Sequence, residues 1–255
     1  MCVEEHQVTE SQVSEKEVWG PWPTAGLGCA VFAAFIVVQT VVGIVFVAAH
    51  LASNPKADFI EFSARLASNG LLVSVMTFAT TLVGLCLVVL FTTLRKSVSV
   101  KDYLGLHPIS FKTFLAALGV TAALVVLSDG LLIALNRPTV PQWQIDVYRT
   151  SVFPFLLWIA IILVGPAFEE TFFRGFLLEG FRRSSMGNAG AVALTSLLWA
   201  LIHVQYGFIE IAMTFVGGLI LGAARLRTRS LWTCYAMHGF MNLVATVETV
   251  VRFQR

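Results

Sequence analysis

The chain is 255 residues long, 57% of them hydrophobic and only 13% charged, with a formal net charge of +2. A mean hydropathy of +0.80 is too high for a soluble domain of this size and points to an all-α, polytopic helical membrane protein. No basic patch is interleaved with aromatics, which argues against nucleic acid as a partner. The four cysteines, Cys2, Cys29, Cys86 and Cys234, show neither metal-ligand nor disulfide spacing.

Residues 1–24 read as a polar N-terminal tail closing on Gly20-Pro21-Trp22-Pro23. It carries Glu4, Glu5, Glu10, Glu15 and Glu17 and lacks the basic start of a cleaved signal peptide, so the first apolar segment is expected to stay as an anchor. Residues 25–150 are expected to hold N-terminal transmembrane helices over Ala25–Ala49, Leu71–Leu94 and Phe114–Leu135, each near the roughly 20 apolar residues that a crossing needs. The loop 95–112 between the second and third is basic, and the loop 136–150 contains Pro138, Pro141 and Trp143. Asp129 interrupts the third span and suits a polar contact between helices. Residues 151–251 are expected to form a second transmembrane core, with spans over Val152–Phe181, Ala189–His203, Phe208–Ala224 and Leu231–Val251. The total is about seven spans, within six to eight. With the N-terminus in the cytoplasm, ten Lys and Arg residues fall inside and six outside. That bias predicts a multi-pass plasma-membrane protein with a cytoplasmic N-terminus.

The fourth span carries the chemistry. Glu169, Glu170 and Arg174 fall within six residues, in a run whose approach from Ser151 to Ala167 holds no charge. An ionisable group at membrane depth costs several kcal/mol unless a partner stabilises it, so the cluster is a functional-site hypothesis by default. On a helix, Glu170 and Arg174 are i and i+4 and can pair. Glu169 points about 100° away and is left as the working acid or base. Pro166 removes a backbone donor and is expected to free the carbonyl of Ile162 and kink the helix there. Later spans hold few ionisable groups. His203 follows Trp199 by four, and His238 and Asn242 share one face of the last span. Trp199 by itself reads as packing, and Glu210 and Glu248 as boundary residues. At 1.5 Å per residue, Glu169, His203 and His238 lie roughly 20, 24 and 15 Å from their nearest basic turns, a common depth within about two helical turns.

Glu169-Glu170-x-x-x-Arg174, Trp199-x-x-x-His203 and His238-x-x-x-Asn242, in this order on successive spans, resemble the CPBP family. That family holds the type II CAAX prenyl endopeptidases and the bacteriocin-immunity (Abi) proteins. The resemblance covers about Val152 to Val251. It implies an intramembrane glutamate endopeptidase with no cofactor, acting on a membrane-associated peptide. Carried over by motif, Glu169 would activate water and His203 would help to hold it. His238 and Asn242 would form the oxyanion site, and Glu170 and Arg174 would orient it. Two glutamates and two histidines also suit a zinc hydrolase, although no His-Glu-x-x-His pairing is present. A proton-coupled transporter using Glu169, Asp129 and the histidines as a relay, and a non-catalytic immunity scaffold, are the other readings.

Overall fold

The computed structural model describes residues 18–56 and 58–254. Residues 1–17 of the expected polar tail lie outside the described residues. The chain is all helix, with no strand among the described residues. Among the described residues ten helices follow one another, besides a single 3-10 turn at Leu66–Ser68: α1 Pro21–Ser53, α2 Phe59–Ala64, α3 Gly70–Thr93, α4 Val100–Leu104, α5 Phe111–Ala134, α6 Gln142–Arg149, α7 Pro154–Phe181, α8 Gly187–Leu201, α9 Phe208–Thr228 and α10 Leu231–Phe253. Local chemistry sets many of the ends. Asn69, Ser99 and Ser110 accept from backbone N–H groups three residues on, relieving donors that the first helical turn leaves unpaired. Pro21 and Pro154 occupy first-turn positions, where a missing N–H costs nothing.

Five helices, α1, α3, α5, α7 and α9, are long and apolar enough to cross a membrane. Their outer faces carry large exposed side chains such as Ile36, Val41, Leu82 and Val126. Such faces suit hydrocarbon. The expected fifth span is the shorter α8, 15 residues long. It ends at Leu201, so His203 stands in the following loop rather than in the helix. The expected seventh is α10, 23 residues long; its polar groups His238, Asn242 and Glu248 face protein, and it packs against α5, α6, α7 and α9. The chain is an integral, multi-pass membrane protein.

Helix α7 is the axis of the bundle. Phe168, Phe172, Phe173 and Phe176 are buried along it, with Phe35 of α1 stacked on Phe168 at 5.8 Å between centroids. Helix α3 comes so close that a Cβ on Gly84 would stand 2.3 Å from the Phe168 ring. Two π-helical stretches, Ala160–Val164 and Glu170–Leu177, widen α7 on either side of Pro166. They correct the expectation for the freed carbonyl. The Gly165 N–H bonds Ala160 O, five residues back; continued, that register would pair residue 166 with Ile161, and proline has no N–H to give. The carbonyl left over is therefore that of Ile161, not Ile162, and the Asn242 side chain donates to it at 2.8 Å. Tyr235 Oη donates to Leu163 O at 3.2 Å and Thr81 Oγ1 to Val164 O at 3.2 Å. Side chains from α3 and α10 thus supply donors to three carbonyls within about one turn of α7, as a widened helix at membrane depth requires.

At its far end α7 is tied down by charge. Arg182 grips Glu179 through two nitrogens, at 2.9 and 2.6 Å, and Arg183 adds a third bond at 3.0 Å. Arg225 of α9 stands 4.0 Å from the same carboxylate and also donates to Leu104 O. Near the opposite end of the bundle, Asp129 of α5 lies next to Glu248 of α10, where the two helices pack. This is the expected helix–helix contact, and Glu248, read from sequence as a boundary residue, is its partner.

Candidate active site

The two adjacent glutamates of α7 have different surroundings. Glu170 is 1% exposed and Arg174 is fully buried. Their i and i+4 spacing brings Arg174 Nη1 to 3.0 Å from Glu170 Oε1. His238 Nδ1 reaches the same oxygen at 2.8 Å from α10. Since a carboxylate accepts, Nδ1 carries the hydrogen. The other ring nitrogen, Nε2, faces Glu169 Oε2 at 4.0 Å, too far for a direct hydrogen bond. His238 therefore lies between the two acids, bonded to one and 4.0 Å from the other.

The Glu169 side chain is 23% exposed. Its Oε2 accepts a 2.5 Å hydrogen bond from Trp199 Nε1 of α8. Its Oε1 lies beside Gly165 and Thr77 and accepts no hydrogen bond among the described residues. The Trp199 indole is the hub of the cluster. The Arg174 guanidinium sits 4.4 Å over its ring, and the rings of His203 and His238 both meet it edge-on at 5.2 Å. His203 Nδ1 donates to Trp199 O at 2.8 Å, which fixes the tautomer and leaves Nε2 as an acceptor. Tyr206, in the loop after α8, stacks on His203 at 5.6 Å. Burial, and then the nearby Glu169 carboxylate, push its phenol up to about 12.

Two helices and a loop thus bring Glu169, Glu170, Arg174, His203 and His238 together around Trp199 of α8. Asn242 stands one turn beyond His238, and one of its two amide hydrogens is already used on Ile161 O. Sequence reasoning missed two participants. Trp199 is a polar partner as well as packing, and Tyr206 backs His203; only the four-residue spacing of Trp199 and His203 hinted at the first. Among the described residues no group of three or more His, Cys, Asp or Glu side chains is arranged to hold a metal ion. Glu170 Oε1, the best buried donor, is occupied by Arg174 and His238.

Residues 151–244 match the family model described as type II CAAX prenyl endopeptidase, Rce1-like. An uncharacterized 24.3 kDa protein of Escherichia coli is 36% identical over 85 residues, covering 32% of this chain and 39% of that protein. The chain thus spans well under half the length of the curated relative that it matches. No solved structure gives a significant match. The matched residues contain the whole cluster around Trp199 and run from before the first π-helical stretch of α7 to just past Asn242. Residues 151–244 are thus similar to the Rce1-like type II CAAX prenyl endopeptidases, a family of membrane proteases.

Proposed function

We propose that the protein is an intramembrane endopeptidase in which Glu169 activates a water molecule to hydrolyse a peptide bond of a membrane-associated substrate, a prenylated CAAX-type peptide being one candidate. The observation that carries this reading is the unequal pairing of two neighbouring acids. Glu170 is bonded on Oε1 by Arg174 and His238 and keeps Oε2 shut away in the interior without a partner, whereas Glu169 keeps its unbonded Oε1 in a partly open position that water can reach. An unbonded carboxylate oxygen is what a general base needs. Oε1 takes a proton from water as its oxygen attacks the carbonyl carbon, and the same proton then passes to the leaving amine. His203 Nε2 accepts from the attacking water and holds it.

His238 and Asn242 are assigned to the oxyanion of the tetrahedral intermediate. Because Nδ1–H donates to Glu170, Nε2 donates only when the ring carries both protons. The cluster is then neutral, with two carboxylates facing one guanidinium and one imidazolium, and neutrality suits a low-dielectric site. Asn242 has its second amide hydrogen to offer. Each such donor is worth about 3 kcal/mol in comparable sites.

No metal takes part in this scheme. We assign the N-terminus and the basic turns around residues 95–112, 182–188 and 225–229 to the cytoplasmic side of the plasma membrane. A cysteine at the exposed position Arg227, in a background without other cysteines, would then resist an impermeant reagent added to intact cells.

The deciding experiment incubates purified protein in bilayer nanodiscs with a prenylated CAAX peptide and a panel of membrane peptides, with and without a chelator. Wild type is expected to cleave at least one, chelator present or not, and Glu169→Ala to cleave none. Equal cleavage by Glu169→Ala removes the site assignment, and loss on chelation that zinc restores moves the reading to a metalloprotease. A pH-gradient-driven flux with no cleavage points instead to the transporter.

A further inference from the structure

We infer that Trp199 is a positioning residue, whose indole N–H anchors Glu169 Oε2 and thereby makes Oε1 the oxygen that takes the proton from water. The inference rests on the peptidase reading but adds a residue that the reading does not need. A glutamate carboxylate turns in a broad, two-fold torsional well, so nothing in its own chemistry tells one oxygen from the other. The 2.5 Å bond from Trp199 Nε1 does. It holds Oε2 on the side of His238 Nε2, 4.0 Å away, and leaves Oε1 toward Gly165.

The donor is built to be strong. The indole is only 4% exposed, so no bulk water competes for its N–H. Arg174 sits 4.4 Å over the ring, and a cation on that face draws electron density from the indole and polarises the N–H. The two imidazoles at 5.2 Å and the backbone bond from His203 Nδ1 to Trp199 O fix the ring plane. A phenylalanine here would keep a ring for Arg174 and both histidines to rest on, yet would offer no hydrogen to the carboxylate. The aromatic side chain therefore has two separable duties, packing by the ring and aiming by the nitrogen.

The test separates those duties in the full-length protein. One variant is Trp199→Phe. A second protein carries 3-benzothienylalanine at position 199, which keeps the bicyclic shape with sulfur in place of N–H and serves where the smaller ring fails to fold. Both are expected to lower kcat about 10- to 100-fold on whichever peptide wild type cleaves, with KM within about twofold, because the lost bond is one to a charged group. Full kcat in the benzothienyl protein overturns the inference, since shape alone would then suffice. Ultraviolet resonance Raman spectroscopy gives a readout that needs no turnover. The band reporting indole hydrogen bonding, taken as wild type minus Trp199→Phe to isolate one of six tryptophans, is expected at a strongly bonded position and to move to the free position in Glu169→Leu. A band that does not move overturns the inference even if peptide is cleaved. A band that moves while no peptide is ever cleaved supports the bond and sinks the peptidase reading instead.

Discussion

Helix α7 carries two buried carboxylate–guanidinium clusters nine residues apart, and their charges are balanced in different ways. Around Glu179, three arginines converge on one carboxylate. Around Glu170, one arginine and His238 hold a single carboxylate, and a second acid, Glu169, stands on the far side of the imidazole. The first surplus is positive and lies where α7 ends, in reach of headgroups and of the basic residues of the neighbouring turn. A cation excess there is inexpensive, because arginine side chains snorkel and meet water and phosphate. The second cluster has no cation excess and lies two to three turns deeper. There an unpaired acid has no solvent to compensate it, and it persists only if something other than stability requires it. Three guanidiniums on one acid describe an anchor. Two acids with an imidazole between them, and a guanidinium on one of them, are the arrangement that the proposed hydrolysis would use.

Four substitutions test that contrast, from the largest effect to the smallest. Glu169→Ala is expected to lower peptide hydrolysis about 10²- to 10⁴-fold, the usual worth of a positioned general base, while the thermal midpoint in detergent stays within a few degrees. A cluster that unfolds on losing Glu169 would instead be structural. Arg174→Ala strands the fully buried Glu170 beside His238 and is expected to cost about 3–5 kcal/mol of stability, seen as low folded yield by size-exclusion chromatography. Equal yields for Arg174→Ala and Glu169→Ala would erase the difference between the two acids. Glu179→Ala leaves three arginines facing one another at the membrane boundary and is expected to cost about 1–3 kcal/mol, with turnover per folded molecule unchanged. Lost turnover at full stability would make the lower cluster part of the mechanism. Tyr235→Phe removes only the bond to Leu163 O and is expected to cost about 1 kcal/mol, measured as the shift in the same thermal midpoint. A larger loss would show that the π-helical stretch depends on that one hydroxyl.

Much of the site was legible because it obeys helical spacing. The Glu170–Arg174 pair follows from i and i+4, and the different fate of Glu169 follows from the 100° step between neighbours. His238 and Asn242 share a face for the same reason, although they end on different partners, a carboxylate and a backbone carbonyl. The depth argument, good only to about two turns, still brought Glu169, His203 and His238 to one level. Counting at 3.6 residues per turn also misled. It named Ile162 as the freed carbonyl because it presumes an unbroken α register, and the π-helical stretch moves the vacancy to Ile161. It extended the fifth span to His203 because apolar residues continue past Leu201, where the helix has already stopped. Trp199 read as packing because its partner lies 30 residues away on another helix. Spacing along one helix says nothing of such a neighbour.

By itself, the sequence determined the class of molecule and the charges that lipid would not tolerate without cause. Both depend on transfer from water to hydrocarbon, a property of each side chain and its near neighbours in the chain. Only the tertiary structure decided which oxygen of Glu169 is held and which is free, which nitrogen of each histidine carries a hydrogen, and that an asparagine repairs the gap left by a proline. Those outcomes are set by directional bonds of about 3 Å between groups far apart in the chain, and a hydrogen bond has no counterpart in hydropathy or period.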